Sequence, residues 1–373
     1  MRKSTFIILC LQGAILSFNV AAAAALIPSI ANDLVLSQFY VGRIIWLYMI
    51  PYGLAALLYG PLVRAVDARD LEIFCMLFFS FANLLIAYSK FIYPVFVGRF
   101  LMGLFGASII PLALILIAKH VEAKHRGRFV GIFFASTFVA SLLGLFLSGI
   151  VNWRLIFIIP GVVGFASCMP LFFEMPSFKK ELTGFKISYL AAFKDKRIIS
   201  IFSYIFFISI FYHGVQQWLG VYFSHRSLNQ FVISMLITLT SFSGIFGEVA
   251  GGWLSDKLGR VKTVDLGIIF MVISVVFLLF KLPVLILALI MVAWGFGWTL
   301  NHAGLSTMLT DLPQEFLNEA ASLNSGIRFI AGGLGAVLGG LLMQKSFNFG
   351  FIVFGACLIL LGFSAKKILV AKS

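Results

Sequence analysis

Twelve stretches of this chain are apolar over the length of a membrane crossing, and only short polar segments separate them. A spanning helix needs roughly 20 mostly apolar residues. The stretches lie near residues 5–27, 40–62, 71–89, 93–117, 127–150, 153–173, 199–223, 231–253, 262–280, 283–309, 317–343 and 348–367. In hydrocarbon every backbone group must be paired internally, which leaves helices and closed barrels. Barrel strands alternate apolar and polar residues, and runs this long do not. The expected fold is an all-α polytopic membrane protein whose helices pack as antiparallel neighbours, with no room for a soluble catalytic domain. Composition agrees, because 61% hydrophobic and 11% charged residues lie outside the range of water-soluble domains.

Lys and Arg in short loops set orientation. With a cytoplasmic N-terminus, 20 of the 28 basic residues fall in inside segments and 6 in outside loops, while Arg99 and Arg328 lie within helices. Both termini are therefore expected in the cytoplasm. The net charge of +14 reads as this bias together with attraction to anionic lipid, and not as a nucleic-acid surface. The start, MRKSTFIILCLQGAILSFNVAAAAALIPS, imitates a secretory signal, yet its apolar stretch is long enough to span, and its removal would leave an odd number of helices. We expect it to be retained as the first span. Cys10, Cys75, Cys168 and Cys357 are scattered singly through the spans, without metal spacing, and read as small packing residues.

The longest hydrophilic segment, 174–198, divides the spans six and six. It reads as a cytoplasmic central linker between an N-terminal bundle, 1–173, and a C-terminal bundle, 199–373. The halves echo each other. YGPLVRAVDARDL follows the second span as GGWLSDKLGRVKT follows the eighth, with Gly60 and Gly252 offset by 192 residues, and Gly144 recurs at nearly the same spacing as Gly335. Parallel repeats of this kind mark transporters that rock two halves about a midplane site.

The loop GGWLSDKLGR, the stretch GRFLMGLFGA at 98–107, NWRLIF at 152–157 and the six-plus-six layout together resemble the major facilitator superfamily over the whole chain. Gly252, Leu254, Asp256, Lys257, Gly259 and Arg260 match its cytoplasmic loop motif in order. The resemblance implies two pseudo-symmetric six-helix bundles, alternating access by a rocker switch, and a loop that latches the cytoplasmic side until substrate or proton binding releases it. In that role Gly251 and Gly252 let two helices approach. Asp256 accepts from free N–H groups at a neighbouring helix start, and Lys257 and Arg260 hold the loop at the headgroups. The first-half copy is degenerate, with Arg64 in place of the Asp and Asp67 in place of the second Gly.

Ionisable groups inside spans are functional candidates. Arg99, Glu248 and Arg328 are the charged ones here, and His213 and His302 add two titratable rings. Glu248 reads as the one carboxylate clearly inside the bilayer, either the proton-coupling acid or a structural acceptor. Arg328 either anchors an anion or pairs with Glu248. Arg99 matches the family's helix-four Arg, which implies a proton relay; it otherwise binds substrate or satisfies carbonyls within its own half. FYHGVQQWLG carries His213, Gln216, Gln217 and Trp218; WGFGWTLNHAG carries Trp294, Trp298, Asn301 and His302. Because the first, fourth, seventh and tenth helices line the cavity in the family, these two clusters and Asn19 form the expected binding site.

Phosphate-loop, HExxH and paired-cysteine motifs are missing from the sequence, so no enzyme, cofactor or metal is expected. Drug-exporting relatives often carry an Asp in the first helix and GPxxGG in the fifth. Asn19 and ASLLGL stand here, which speaks against antiport of cationic drugs. The expected activity is proton-linked secondary transport of a small organic solute, with export of an amphipathic or weakly acidic compound preferred. Nutrient uptake and a non-transporting sensor or lipid-handling scaffold are the alternatives. Expected partners are the solute, protons or another coupling ion, and membrane lipids; the chain is expected to act as a monomer in a bacterial inner membrane.

Overall fold

The computed structural model describes residues 3–174, 189, 194–312 and 317–370. Its first six spans are α1 (Lys3–Leu34), the short α2 (Gln38–Val41) running into α3 (Arg43–Ala65), α4 (Ala68–Ala87), α5 (Ile92–His120), α6 (Ala123–Leu147) and α7 (Leu155–Glu174). The second six are α8 (Lys196–Gln216) with the short α9 (Leu219–His225), α10 (Gln230–Lys257), α11 (Arg260–Leu278), α12 (Val284–Thr310), α13 (Leu317–Met343) and α14 (Phe347–Leu369). Among the described residues, twelve helices are long and apolar enough to cross a membrane. Polar side chains mark several starts. The carboxylates of Asp67 and Asp195 and the amide oxygen of Asn229 accept from otherwise free N–H groups of α4, α8 and α10, the usual remedy for the first turn of a helix.

One span differs from the sequence expectation. The stretch read as continuous over 199–223 breaks after Gln216. There Trp218 turns inward and its indole N–H donates to the Ala336 carbonyl of α13 at 2.9 Å, so a buried polar handle fixes the break.

The chain forms two compact units, Met1–Lys186 and Ile187–Ser373. Most of the segment read as a linker, 175–188 and 190–193, lies outside the described residues. In the first unit α1 packs on α6 and α7, α4 on α5 and α7, and α3 on α5. In the second, α8 packs on α13 and α14, α11 on α12 and α14, and α10 on α12. Each pairing of the second unit thus repeats one of the first, six spans later. The repeat extends to single backbone contacts. The Tyr48 carbonyl occupies the space where Gly103 would carry a side chain, and 192 residues further on the Thr240 carbonyl does the same to Gly295. Phe18 against Gly144 is matched by Ile210 against Gly335. Small residues let helix backbones approach this closely where lipid supplies no hydrophobic drive between helices. Phe173, Leu285 and Phe363 are among many large apolar side chains left exposed, as a surface solvated by acyl chains allows.

Candidate functional site

A connected polar and aromatic cluster lies inside the second unit, built from α8, α10, α12 and α13. Tyr212 on α8 stacks almost parallel on Trp298 of α12, with ring centroids 3.8 Å apart at 7°. Its other stacked neighbour is Trp294, at 5.0 Å and 17°. The Trp294 indole N–H donates to the Gln216 Oε1 at 2.7 Å. His213 meets the edges of both Tyr212 and Trp298, at 5.0 and 5.6 Å, and its Nδ1 lies 3.1 Å from the Gln217 amide nitrogen, one turn along.

The ionisable groups continue from the Trp298 ring. His302, one turn beyond Trp298 and 6.3 Å from it centroid to centroid, places Nδ1 3.0 Å from a Glu248 carboxylate oxygen on α10. Arg328 of α13 sets its guanidinium 5.9 Å from the centre of the Trp298 ring. Its Nε donates to the Asn324 side-chain oxygen at 2.7 Å, whereas Nη1 and Nη2 are buried without a hydrogen-bond partner. The structure therefore brings together seven residues singled out in the sequence: His213, Gln216, Gln217, Trp298, His302, Glu248 and Arg328. Trp294 of the same sequence cluster joins them, Trp218 instead turns to the Ala336 carbonyl, and the structure adds Tyr212 and Asn324, which complete the wall and orient the guanidinium.

Three other candidates lie apart from this cluster. Asn301 turns to the other side of α12, where its amide donates to the Val264 carbonyl of α11 at 3.2 Å. Asn19 is fully buried and donates to the Asn83 side chain of α4. Arg99 is 1% exposed; its Nε donates to the Ile44 carbonyl at 3.0 Å, and its guanidinium lies 4.5 Å from the Tyr48 ring centre. Two expectations about charge need correction. Glu248 does not pair with Arg328; its partner is His302, because α10 packs on α12. Glu248 is also not the one intramembrane carboxylate. Its side chain is 46% exposed, while Glu72 on α4 is fully buried with both oxygens unpartnered. Glu72 is the fifth residue of α4, and its nearness to Arg69 and Asp70 makes it read as loop charge.

The glycine-punctuated loop is formed by the end of α10 and the start of α11. Gly259 has φ +92°, a left-handed conformation natural to glycine, and turns the chain from one helix directly into the next. The Asp256 carboxylate pairs with Arg260 Nη1 at 2.8 Å, and Arg260 Nε reaches Asp311 at 3.3 Å, at the end of α12. Lys257 sets its ammonium 4.0 Å from the Trp253 ring centre. Asp256 thus answers a side-chain cation here instead of a helix start, and Arg260 is engaged by protein carboxylates. In the first-half copy Asp67 stands in the Gly259 place and caps α4 through the Arg69 N–H at 2.8 Å.

A family model described as Major Facilitator Superfamily matches residues 9–340 and, in a second match, 228–371. The uncharacterized MFS-type transporter YbcL of Bacillus subtilis (strain 168) is 22% identical over 89% of this chain and 88% of its own length. The purine ribonucleoside efflux pump NepI of Salmonella enteritidis PT4 is 20% identical over 90% and 86%. Among solved structures, a D-xylose-proton symporter superposes with TM-score 0.77 at 14% identity, covering 98% of this chain and 97% of that one. The nucleoside transporter NupG gives 0.74 at 13%, with both chains fully covered.

Proposed function

The chain belongs to the Major Facilitator Superfamily and is an integral multi-pass transporter of a small solute, and from that premise we propose that it exports an amphipathic organic solute in exchange for protons. The observation that carries this reading is the cluster of α8, α10, α12 and α13. Its half-buried Trp298 ring, backed by the buried Tyr212 and Trp294 rings, offers a flat apolar face. Polar groups of Gln217 and His213 stand at the edge of that face. Mostly apolar walls with a few placed polar groups are what small-molecule sites are made of.

The coupling group in this reading is the Glu248–His302 pair. A carboxylate and an imidazole 3.0 Å apart can hold one exchangeable proton between them. The pair is partly exposed, 46% for Glu248 and 32% for His302, so it is not sealed within its own unit. The Asp256–Arg260–Asp311 network is the breakable fastening of the cytoplasmic end, with both termini on that side of a bacterial inner membrane and one chain as the working unit. Export is preferred because the NepI relative is itself named an efflux pump.

The test uses purified protein in liposomes carrying an imposed proton gradient. Internal pH is followed while amino acids, sugars, organic acids and lipophilic dyes are added in turn. Proton movement against the entry of one ring-bearing amphipath supports the proposal. Proton movement in the same direction as a polar nutrient assigns uptake instead, and solute flux without proton movement removes the exchange.

A further inference from the structure

We infer that Arg328 is the anchor for the acidic group of the solute, and that the transported class is a planar, ring-bearing organic monoanion such as an aromatic carboxylate. The inference deepens the transport function proposed above and rests on it.

The argument starts from an imbalance of charge. Arginine is a permanent cation with five donors in a rigid fork, and a buried cation without a partner is strongly disfavoured. Arg328 is 8% exposed. One of its donors is spent on Asn324, and both terminal nitrogens have no partner. The side chain nearest in character to a counter-ion, Glu248, is engaged by His302, and among the described residues no carboxylate forms an ion pair with Arg328. The two free nitrogens present the edge that matches a carboxylate in bidentate fashion. Asn324, one turn earlier on α13, holds Nε and so fixes the plane of the fork.

The surroundings narrow the anion further. The guanidinium lies beside the Trp298 ring, which is itself backed by Tyr212. A ligand whose carboxylate meets Arg328 therefore has an aromatic face beside it, and a flat ring gains from it what acetate or chloride does not. One guanidinium supplies one positive charge, which a single carboxylate balances, and this matches a monoanion. Arg99 in the first unit differs in that Nη1 is its one nitrogen found buried and unpartnered, its Nε goes to the Ile44 carbonyl, and its guanidinium lies 4.5 Å from the Tyr48 ring centre.

The experiment is isothermal titration of the full-length protein in lipid nanodiscs with benzoate, benzamide and acetate, corrected with empty nanodiscs. Benzoate and benzamide share shape and differ in charge; acetate keeps the charge and lacks the ring. A charge-assisted, bidentate contact predicts benzoate binding at least about tenfold tighter than either comparator. Arg328→Gln brings benzoate down to the benzamide level, and Arg328→Lys, which keeps the charge without the fork, retains part of the preference. Equal binding of benzoate and benzamide to the unaltered protein overturns the inference, as does binding of neither, and that comparison needs no variant to fold. A benzoate preference that survives Arg328→Gln also overturns it. The two proposals fail separately: an Arg328-dependent anion preference without solute flux in liposomes removes the transport mechanism and leaves the anion site, whereas flux without anion preference removes the anion site alone.

Discussion

The two units share one packing frame and fill it with different chemistry. Shifted by 192 residues, Tyr48 against Gly103 becomes Thr240 against Gly295, so the backbone contacts coincide. The same shift sets Ala21, Ala25, Gly106, Ile110, Ala56 and Ser136 of the first unit against His213, Gln217, Trp298, His302, Glu248 and Arg328 of the second. Among the buried polar groups of the first unit Asn19 meets Asn83, Gln12 meets Ser167 at 3.0 Å and Arg99 Nε meets the Ile44 carbonyl, while Arg99 Nη1 and both Glu72 oxygens stay unpartnered. Those of the second include unpartnered nitrogens and a titratable pair. Close helix contacts are fixed by glycines and carbonyls, and positions off those contacts are free to diverge. The second unit has used that freedom for an aromatic and ionisable cluster, the first for small and apolar residues at the matching positions.

The largest test of this contrast is Trp298→Ala set against Asn19→Ala. Removing the indole takes away the ring that joins Tyr212, His213 and Arg328, and solute affinity in the liposome assay should fall by about tenfold to a hundredfold. Asn19→Ala strands the Asn83 partner and should appear as lost stability of about 1–3 kcal/mol in thermal unfolding, with affinity changed much less. Comparable loss of affinity in both would place recognition in both units.

The shared frame is tested by Gly103→Ala and Gly295→Ala. Each puts a methyl group into a carbonyl, and overpacking of this kind costs about 1–3 kcal/mol. The expected result is a similar drop in unfolding temperature for the two variants, and a drop in one alone would contradict the repeat. The smallest effect belongs to Asp256→Asn. Its pair with Arg260 is exposed, and exposed pairs are worth about 0.2–1 kcal/mol. Turnover should slow a few-fold with expression unchanged, and full turnover would remove the fastening role of the loop.

The spans and their repeat were legible because apolar length and glycine spacing are one-dimensional signals. Which way a side chain faces is not. Asn301 and His302 are neighbours in sequence but about 100° apart around a helix, so His302 meets Glu248 while Asn301 meets the Val264 carbonyl. Ionisable groups deep in a span announce themselves, which is how Arg328 and Glu248 were found. Tyr212 carries no such signal in an aromatic run, and Glu72 was hidden by the charges of Arg69 and Asp70 before it.

The most direct test of the central claim, that the second unit couples solute to protons through Glu248 and His302, is solute transport by the unaltered protein and by Glu248→Gln across the acid-to-neutral range. Glutamine keeps a hydrogen-bonding group beside His302 and removes the exchangeable carboxyl proton. The account predicts that the variant still binds solute while its transport loses the pH dependence of the parent. An unchanged pH profile would contradict it and take proton coupling away from this cluster.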